Sequence, residues 1–132
     1  MMPRLLDTVT PGDRAIVIFS GESDLKFLKL LKPGFRHCCL MIEANQYWIF
    51  YNPMSHVTTM RIYSGLSLDE IVSWFHRCGH TVVCCRVSVP RNFDVSVRPY
   101  TCVEAVKRLL GMTAPRVVTP WQLFRSLTEV GK

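Results

Sequence analysis

Residues 36–52 read RHCCLMIEANQYWIFYN, and this stretch decides the fold. It contains two apolar segments, at 36–43 and 47–52, which are separated only by the tripeptide at 44–46. Two apolar segments of strand length with so short a connection are typical of a tight β-hairpin, and asparagine is a residue that suits its turn. The sequence therefore predicts an antiparallel pair of strands at this position.

Runs of β-branched and apolar residues on both sides of the hairpin predict further strands. One run occupies 14–19 after a proline-glycine turn, a second occupies 56–63, and a third occupies 81–89. The run at 56–63 follows the hairpin directly, so we expect it to continue the hairpin as a meander. The stretch at 90–99 has no clear periodicity and is expected to be a connection.

Helix signals alternate with these strands. Apolar residues at helical spacing predict a helix over 25–31, which Pro33 and Gly34 end. Three capping boxes mark further helix starts: Ser67 with Glu70, Thr101 with Glu104, and Thr119 with Gln122. The expected fold class is α+β, with a small antiparallel sheet packed against helices in a single domain spanning residues 1–132.

The composition is that of a globular protein with a basic balance. Hydrophobic residues make up 48% of the chain and charged residues 20%, and the formal net charge is +6. This charge favours acidic partners such as nucleic acid or an anionic membrane surface. Lys26, Lys29 and Lys32 would line one helical face, which a solvated surface explains better than a binding stripe. No signal peptide or membrane-spanning segment is expected.

Six cysteines are present, and their pattern argues against both disulfides and metal. The pairs Cys38/Cys39 and Cys84/Cys85 lie inside apolar runs, where we expect buried thiols, and no CxxC or Cys/His ligand spacing occurs. We therefore expect no metal and no cofactor. Free thiols fit a reducing compartment, so the expected location is the cytoplasm.

Cys102 differs from the other cysteines because the Thr101 capping box makes it the first residue of a helix. The free N–H groups and the positive dipole end of a helix start stabilise a thiolate, and the same N–H groups can bind an oxyanion. Cys102 is therefore the candidate nucleophile. Buried structural cysteine at a helix start is the competing interpretation.

A thiolate nucleophile requires a base, and histidine is suited to that role near neutral pH. Of the four histidines, His76 and His80 lie within or just after the helix that Ser67 starts, whereas His37 opens a strand and His56 precedes one, so both remain candidates at this point. If residues 44–45 form the hairpin turn, the numbers of paired residues sum to 89 and His37 faces Asn52. Cβ atoms of opposed residues lie about 4.5–5.5 Å apart, so the Asn52 amide could orient the imidazole. A histidine bonded to a nearby carbonyl is the structural alternative.

Read in chain order, four motifs resemble the circularly permuted NlpC/P60 families, papain-like proteins of the YiiX and lecithin:retinol acyltransferase type. They are Pro11-Gly12-Asp13 before a strand, Phe35-Arg36-His37 opening another, Tyr100-Thr101-Cys102-Val103-Glu104 opening a helix, and Thr119-Pro120 starting the last helix. The resemblance spans nearly the whole chain. It implies a Cys/His site on a small sheet packed by the cysteine helix, with the polar third residue falling on Asn52.

The sequence departs from this resemblance beside the expected site. Cys38 follows His37 where relatives often carry a small apolar residue, and no further oxyanion donor is evident beyond the helix start. Tyr100 and Thr101 are candidates for that role or for substrate contact by position. Packing under the loop is an equal interpretation of Tyr100.

Three functions follow as expectations. The first is a cysteine amidase or peptidase that acts through Cys102, His37 and Asn52 by an acyl-enzyme. The second passes the same acyl group to another acceptor, as a thiol acyltransferase, or releases it as a thioesterase. The third is a non-catalytic module associated with nucleic acid or a phage virion, for which DNA binding would depend steeply on salt and would not require Cys102.

Overall fold

The protein is described by a computed structural model at residues 12–21, 33–54, 57–88, 101–112 and 114–129. The elements in chain order are β1 (Arg14–Ser20), β2 (His37–Ala44), β3 (Tyr47–Pro53), β4 (Thr58–Ser64), α1 (Leu68–Arg77), β5 (Thr81–Arg86), α2 (Cys102–Leu110) and α3 (Pro120–Glu129). The α+β class is confirmed by the five strands and three helices. The helix expected at 25–31 and the connection expected at 90–99 lie outside the described residues.

The five strands form one antiparallel sheet in the order β4-β3-β2-β1-β5. The expected meander is confirmed, because β2, β3 and β4 are neighbours in the sheet as well as in the chain. β4 begins at Thr58 rather than 56, and β5 ends at Arg86 rather than 89. Both form edges of the sheet, so they are more exposed than the three central strands.

The predicted hairpin register is wrong by two residues. Ala44 pairs with Tyr47 and Leu40 pairs with Tyr51, so paired numbers sum to 91 and the turn consists of residues 45–46. Asn45 adopts φ 59°, the left-handed conformation that the first turn position of a two-residue hairpin requires and that asparagine tolerates. Because strand side chains alternate with a period of two, this shift keeps every side chain on its expected face.

The sheet buries a different cluster on each face. On one face, which we call the two-helix face, Leu40 and neighbouring strand residues pack against Val103 and Val106 of α2 and Leu123 of α3. On the other, the one-helix face, Met41 and its neighbours pack against Ile71 and Phe75 of α1. Fully buried side chains of this size each stabilise the fold by about 1.5–3 kcal/mol.

The helix starts follow the predicted capping pattern with one exception. Ser67 with Glu70 and Thr119 with Gln122 form reciprocal capping boxes. At α2 the Thr101 hydroxyl accepts the Glu104 N–H, but the Glu104 carboxylate accepts a bond from Lys107 Nζ at 2.8 Å. The second box is therefore incomplete, because the buried ammonium of Lys107 takes the carboxylate.

Two sequence expectations about burial and membranes can be compared with the structure. Cys38 and Cys39 are buried as expected, whereas Cys84 is exposed because β5 is an edge strand, and none of the six cysteines forms a disulfide. None of the helices in the described part of the chain is long and apolar enough to cross a membrane.

Candidate active site

Cys102 lies at the first position of α2, as the capping pattern predicted. Thr101 is the N-cap, with extended backbone angles and a hydroxyl that accepts the Glu104 N–H at 3.3 Å. The α2 backbone N–H groups near Cys102 therefore stand at the positive end of a nine-residue helix. Cys102 is partly buried and packs against the cluster of the two-helix face.

The Cys102 sulfur accepts hydrogen bonds from two neighbouring residues of β2. The Cys38 side-chain thiol is one donor, the Cys38 backbone N–H is another, and the His37 imidazole also bonds to the sulfur. The Cys38 thiol bond is the largest influence lowering the pKa of Cys102; burial opposes it, and His37 adds its bond and its charge. Together they lower the pKa of Cys102 from 9.0 to about 5, so the thiolate predominates at neutral pH.

The other buried thiols are shifted in the opposite direction. Burial raises the pKa of Cys38 well above its usual range, and proximity to Cys102 raises it further, so the proton shared by this pair stays on Cys38. Burial also raises the pKa of Cys39 to about 12 and that of Cys85 to about 11. Cys102 is the one cysteine whose pKa the described structure lowers.

His37 connects Cys102 to Asn52. The Nε2 atom of His37 lies 2.5 Å from the Oδ1 atom of Asn52, and because an amide oxygen only accepts, Nε2 carries the hydrogen. Nδ1 is then the nitrogen available to the Cys102 sulfur. Asn52 lies one residue beyond the last β2–β3 pair, Leu40 with Tyr51; continuing that register by one residue sets Asn52 beside Cys39 and diagonal to His37, a separation that an aromatic ring spans.

The position of His37 at the end of β2 explains how it serves both faces of the sheet. Alternation directs His37 and Asn52 to the one-helix face and Cys38 to the two-helix face, where α2 presents Cys102. His37 is the first residue of β2, and β3 pairs with β2 only from Leu40 onward. The imidazole therefore stands at the open end of the sheet, where it reaches Cys102 as well as Asn52.

This arrangement has the parts of a nucleophilic thiol site: a thiolate at a helix start, an imidazole bonded to it and an amide that orients the imidazole. Of the two further candidates, the Thr101 hydroxyl caps α2, and Tyr100 lies outside the described residues. Of the other histidines, His76 is exposed on α1 and His80 lines the groove described next, while His56 lies outside the described residues.

A groove on the one-helix face begins at His37 and Asn52. It has a volume of about 950 Å³ and runs between α1 and β4, with apolar side chains of β2 and β3, such as Met41 and Phe50, as its floor. This volume lies at the upper end of the roughly 300–1,000 Å³ of small-molecule sites. The sequence did not predict the groove, because it depends on where α1 crosses the sheet.

Cys38 is the site residue that sequence reasoning missed. The sequence predicts it as a buried thiol that departs from the resemblance, yet it gives the Cys102 sulfur two contacts, from its thiol and from its backbone N–H. The signal was available in the alternation of β2, since the residue after a strand histidine must point to the opposite face. That face is the one that carries the cysteine helix.

Comparison with known proteins identifies no relative of this chain. No protein-family model matches it, and no curated protein or solved structure gives a significant match. Functional assignment therefore rests on the geometry and electrostatics of Cys102, His37, Cys38 and Asn52.

Proposed function

We propose that this protein is a cysteine-dependent hydrolase of amide or peptide bonds. The observation that carries the proposal is the chain of contacts from the Cys102 sulfur through the His37 ring to the Asn52 amide. The three residues come from α2, β2 and β3, so tertiary structure rather than local sequence brings them together.

In the proposed reaction the Cys102 thiolate attacks the substrate carbonyl carbon and forms a tetrahedral intermediate. Backbone N–H groups at the start of α2 stabilise the oxyanion. The imidazolium of His37 then protonates the leaving amine, which departs and leaves an acyl group on Cys102. Finally, His37 takes a proton from water, the resulting nucleophile attacks the thioester, and Cys102 leaves as the thiolate.

The proposal includes the finer fold assignment, a papain-like domain of the permuted NlpC/P60 type. The order of the site supports it, because the histidine strand precedes the cysteine helix in the chain and the polar third residue lies on the strand after the histidine. We further propose a reducing, cytoplasmic location, which the six free thiols support.

A second candidate function is transfer of the acyl group to another acceptor, or cleavage of a thioester. The groove supports this candidate, because it begins at His37 and Asn52 and the middle of its floor is made of apolar side chains such as Met41 and Phe50. Competition between water and added amines or alcohols for the acylated protein separates the two candidates. Partition to the acceptor identifies a transferase.

The proposal is tested by limited alkylation with iodoacetamide at pH 6, followed by peptide mapping of all six cysteines. Cys102 should react at least tenfold faster than the other thiols, because its pKa is lowered to about 5 while Cys39 and Cys85 have raised pKa values. Incubation with 4-nitrophenyl acetate should then release a burst of nitrophenolate and leave acetyl on Cys102.

Matched variants separate the roles. His37→Ala should slow deacylation by about 100-fold or more, since general acid–base catalysis typically contributes 10²–10⁴-fold. His76→Ala replaces an exposed histidine on α1 and should leave the burst and deacylation unchanged. Equal reactivity of all six thiols, or acetylation that does not require Cys102, contradicts a cysteine hydrolase and leaves a non-catalytic binding module as the better description.

A further inference from the structure

The groove between α1 and β4 is lined by large apolar side chains that are exposed to water. Trp74 is 54% exposed on the α1 side, and Leu66 and Tyr63 are 41% and 37% exposed near the end opposite His37. All three line the groove together with the apolar floor. A continuous concave surface of this kind favours a ligand with an apolar body, because binding removes that surface from water.

The backbone in the middle of the groove floor disfavours an extended peptide as the occupant. From Leu40 onward in β2 and up to Tyr51 in β3, the floor strands pair with neighbours on both sides, so the N–H and C=O groups there are engaged in the ladders. A peptide amide lying over Met41 and Phe50 would find no free backbone partner there, and an amide buried without a partner costs roughly 1–3 kcal/mol. An apolar chain or ring system has no such groups to desolvate.

Charge on the two walls of the groove favours an anionic group on the ligand. Arg61 projects from β4 and Arg77 from the end of α1, and neither makes an ion pair or hydrogen bond within the described part of the chain. Among the described residues, Glu70 is the one carboxylate that lines the groove, and it accepts the Ser67 N–H in the α1 capping box. The two guanidiniums outnumber this carboxylate, which is already bonded to Ser67, so these residues give the groove a net positive charge, as in the chain as a whole, whose formal charge is +6.

We propose that this groove is a binding site for an amphipathic anion, whose apolar body lies over Met41 and Phe50 and whose anionic group is bound by Arg61 and Arg77. The site lies on the one-helix face, and Cys102 does not line it. The ligand contacts the candidate active site only through His37 and Asn52 at one end. Binding therefore does not require that Cys102 be catalytic.

The test uses two fluorescent probes that share one ring system. The first, 8-anilinonaphthalene-1-sulfonate, carries the anionic group, and the second, N-phenyl-1-naphthylamine, lacks it. Both should bind saturably to the folded wild-type protein and equally to Cys102→Ala, so a failed hydrolase assignment leaves the result intact. The sulfonate should bind about tenfold more tightly, since a charge-assisted contact of about 1.4 kcal/mol gives that factor.

Variants on each wall locate the site. Replacing both groove arginines, Arg61→Gln with Arg77→Gln, should weaken the sulfonate about tenfold and leave the neutral probe unchanged, whereas Arg125→Gln on α3 should affect neither. Thr59→Trp fills the groove and should abolish binding of both probes. Thr58→Trp, at the adjacent exposed position whose side chain points to the opposite face, should preserve binding.

Three outcomes overturn the proposal. They are no saturable binding of either probe, a double arginine variant that binds the sulfonate as tightly as the wild type, and Thr59→Trp protein that still binds both probes. A cooperative unfolding transition measured for each variant separates these outcomes from loss of the fold.

Discussion

On the two-helix face, α2 lies over β2 and β3, α3 lies against β5, and the lysine ammonium of α2 is enclosed. On the one-helix face, α1 packs mainly against β5 and leaves the groove beside β3 and β4. Both faces are apolar in sequence. The difference shows that one sheet can be enclosed on one face and keep an open groove on the other, with His37 and Cys38 at the end where the faces meet.

The largest expected loss of stability comes from a substitution in the enclosed two-helix face. Lys107 Nζ bonds Glu104 Oε1 at 2.8 Å and the Val117 carbonyl at 2.9 Å, and its side chain is only 4% exposed. Lys107→Met removes the closer cation from the largely buried Glu104 carboxylate and leaves the exposed Arg108 4.0 Å away, so it should lower the free energy of unfolding by about 3–5 kcal/mol, as for a broken buried pair. Urea denaturation measures the change.

The control for this variant is the exposed pair on α3. Arg125→Met removes a 3.1 Å contact with Glu129 in which both side chains are more than half exposed. Its cost should stay within about 0.5 kcal/mol, as for other exposed helix pairs. Equal costs for the two variants would contradict an enclosed two-helix face.

A smaller effect is expected from two adjacent residues that point to opposite faces. Leu40→Ala should create an enclosed cavity against α2 and cost about 3 kcal/mol, whereas Met41→Ala enlarges an already open groove and should cost roughly half as much. Both side chains are buried, so exposure alone does not predict the difference. Chemical denaturation of the two variants gives the comparison, and a larger loss for Met41→Ala would reverse it.

The smallest expected effect concerns the adjacent thiols Cys38 and Cys39. The alkylation rate of Cys102 should rise with pH through its lowered pKa of about 5 and be constant above it, because the thiolate is the reacting form. Cys38→Ala removes the thiol donor and should move this midpoint upward by about one to two pH units, the equivalent of a hydrogen bond to a charged group.

Cys39→Ala is the matched control, because Cys39 is buried next to Cys38 but points to the one-helix face. Its midpoint should coincide with that of the wild type. Cys38→Ser supplies a hydroxyl donor in place of the thiol, so its midpoint should return most of the way to the wild-type value. If Cys38→Ala and Cys39→Ala give the same profile, the thiol contact does not set the reactivity of Cys102.

Local signals were sufficient to predict the hairpin strands and the first helical position of Cys102. The hairpin register could not be read from the apolar pattern, because registers that differ by two residues place the same side chains on the same face. The left-handed conformation of Asn45 decides between them, and that conformation was not assigned from sequence. The predicted face of Asn52 is therefore correct, although the predicted pairing with His37 is wrong.

The other failures have tertiary causes. The Thr101 capping box is incomplete because Lys107 Nζ, which also donates to the Val117 carbonyl, binds the Glu104 carboxylate in place of the Thr101 N–H. Cys84 is exposed because β5 has a neighbour on only one side, which depends on sheet order. The groove depends on the path of α1 across the sheet. None of these arrangements is encoded in the periodicity of a single segment.

Because His37 and Cys38 are adjacent strand residues that point to opposite faces, insertions of one and of two residues in β2 should affect the candidate site differently. Inserting one residue within β2 between Cys38 and Leu40, where pairing with β3 begins, would exchange the two faces, directing the imidazole toward the α2 core and the thiol toward the groove. Inserting two residues would restore the faces and displace the pair along the strand. The number of residues between the hairpin turn and His37 can therefore change by two, but not by one, without exchanging the faces, even though those residues are far from the Cys102 sulfur.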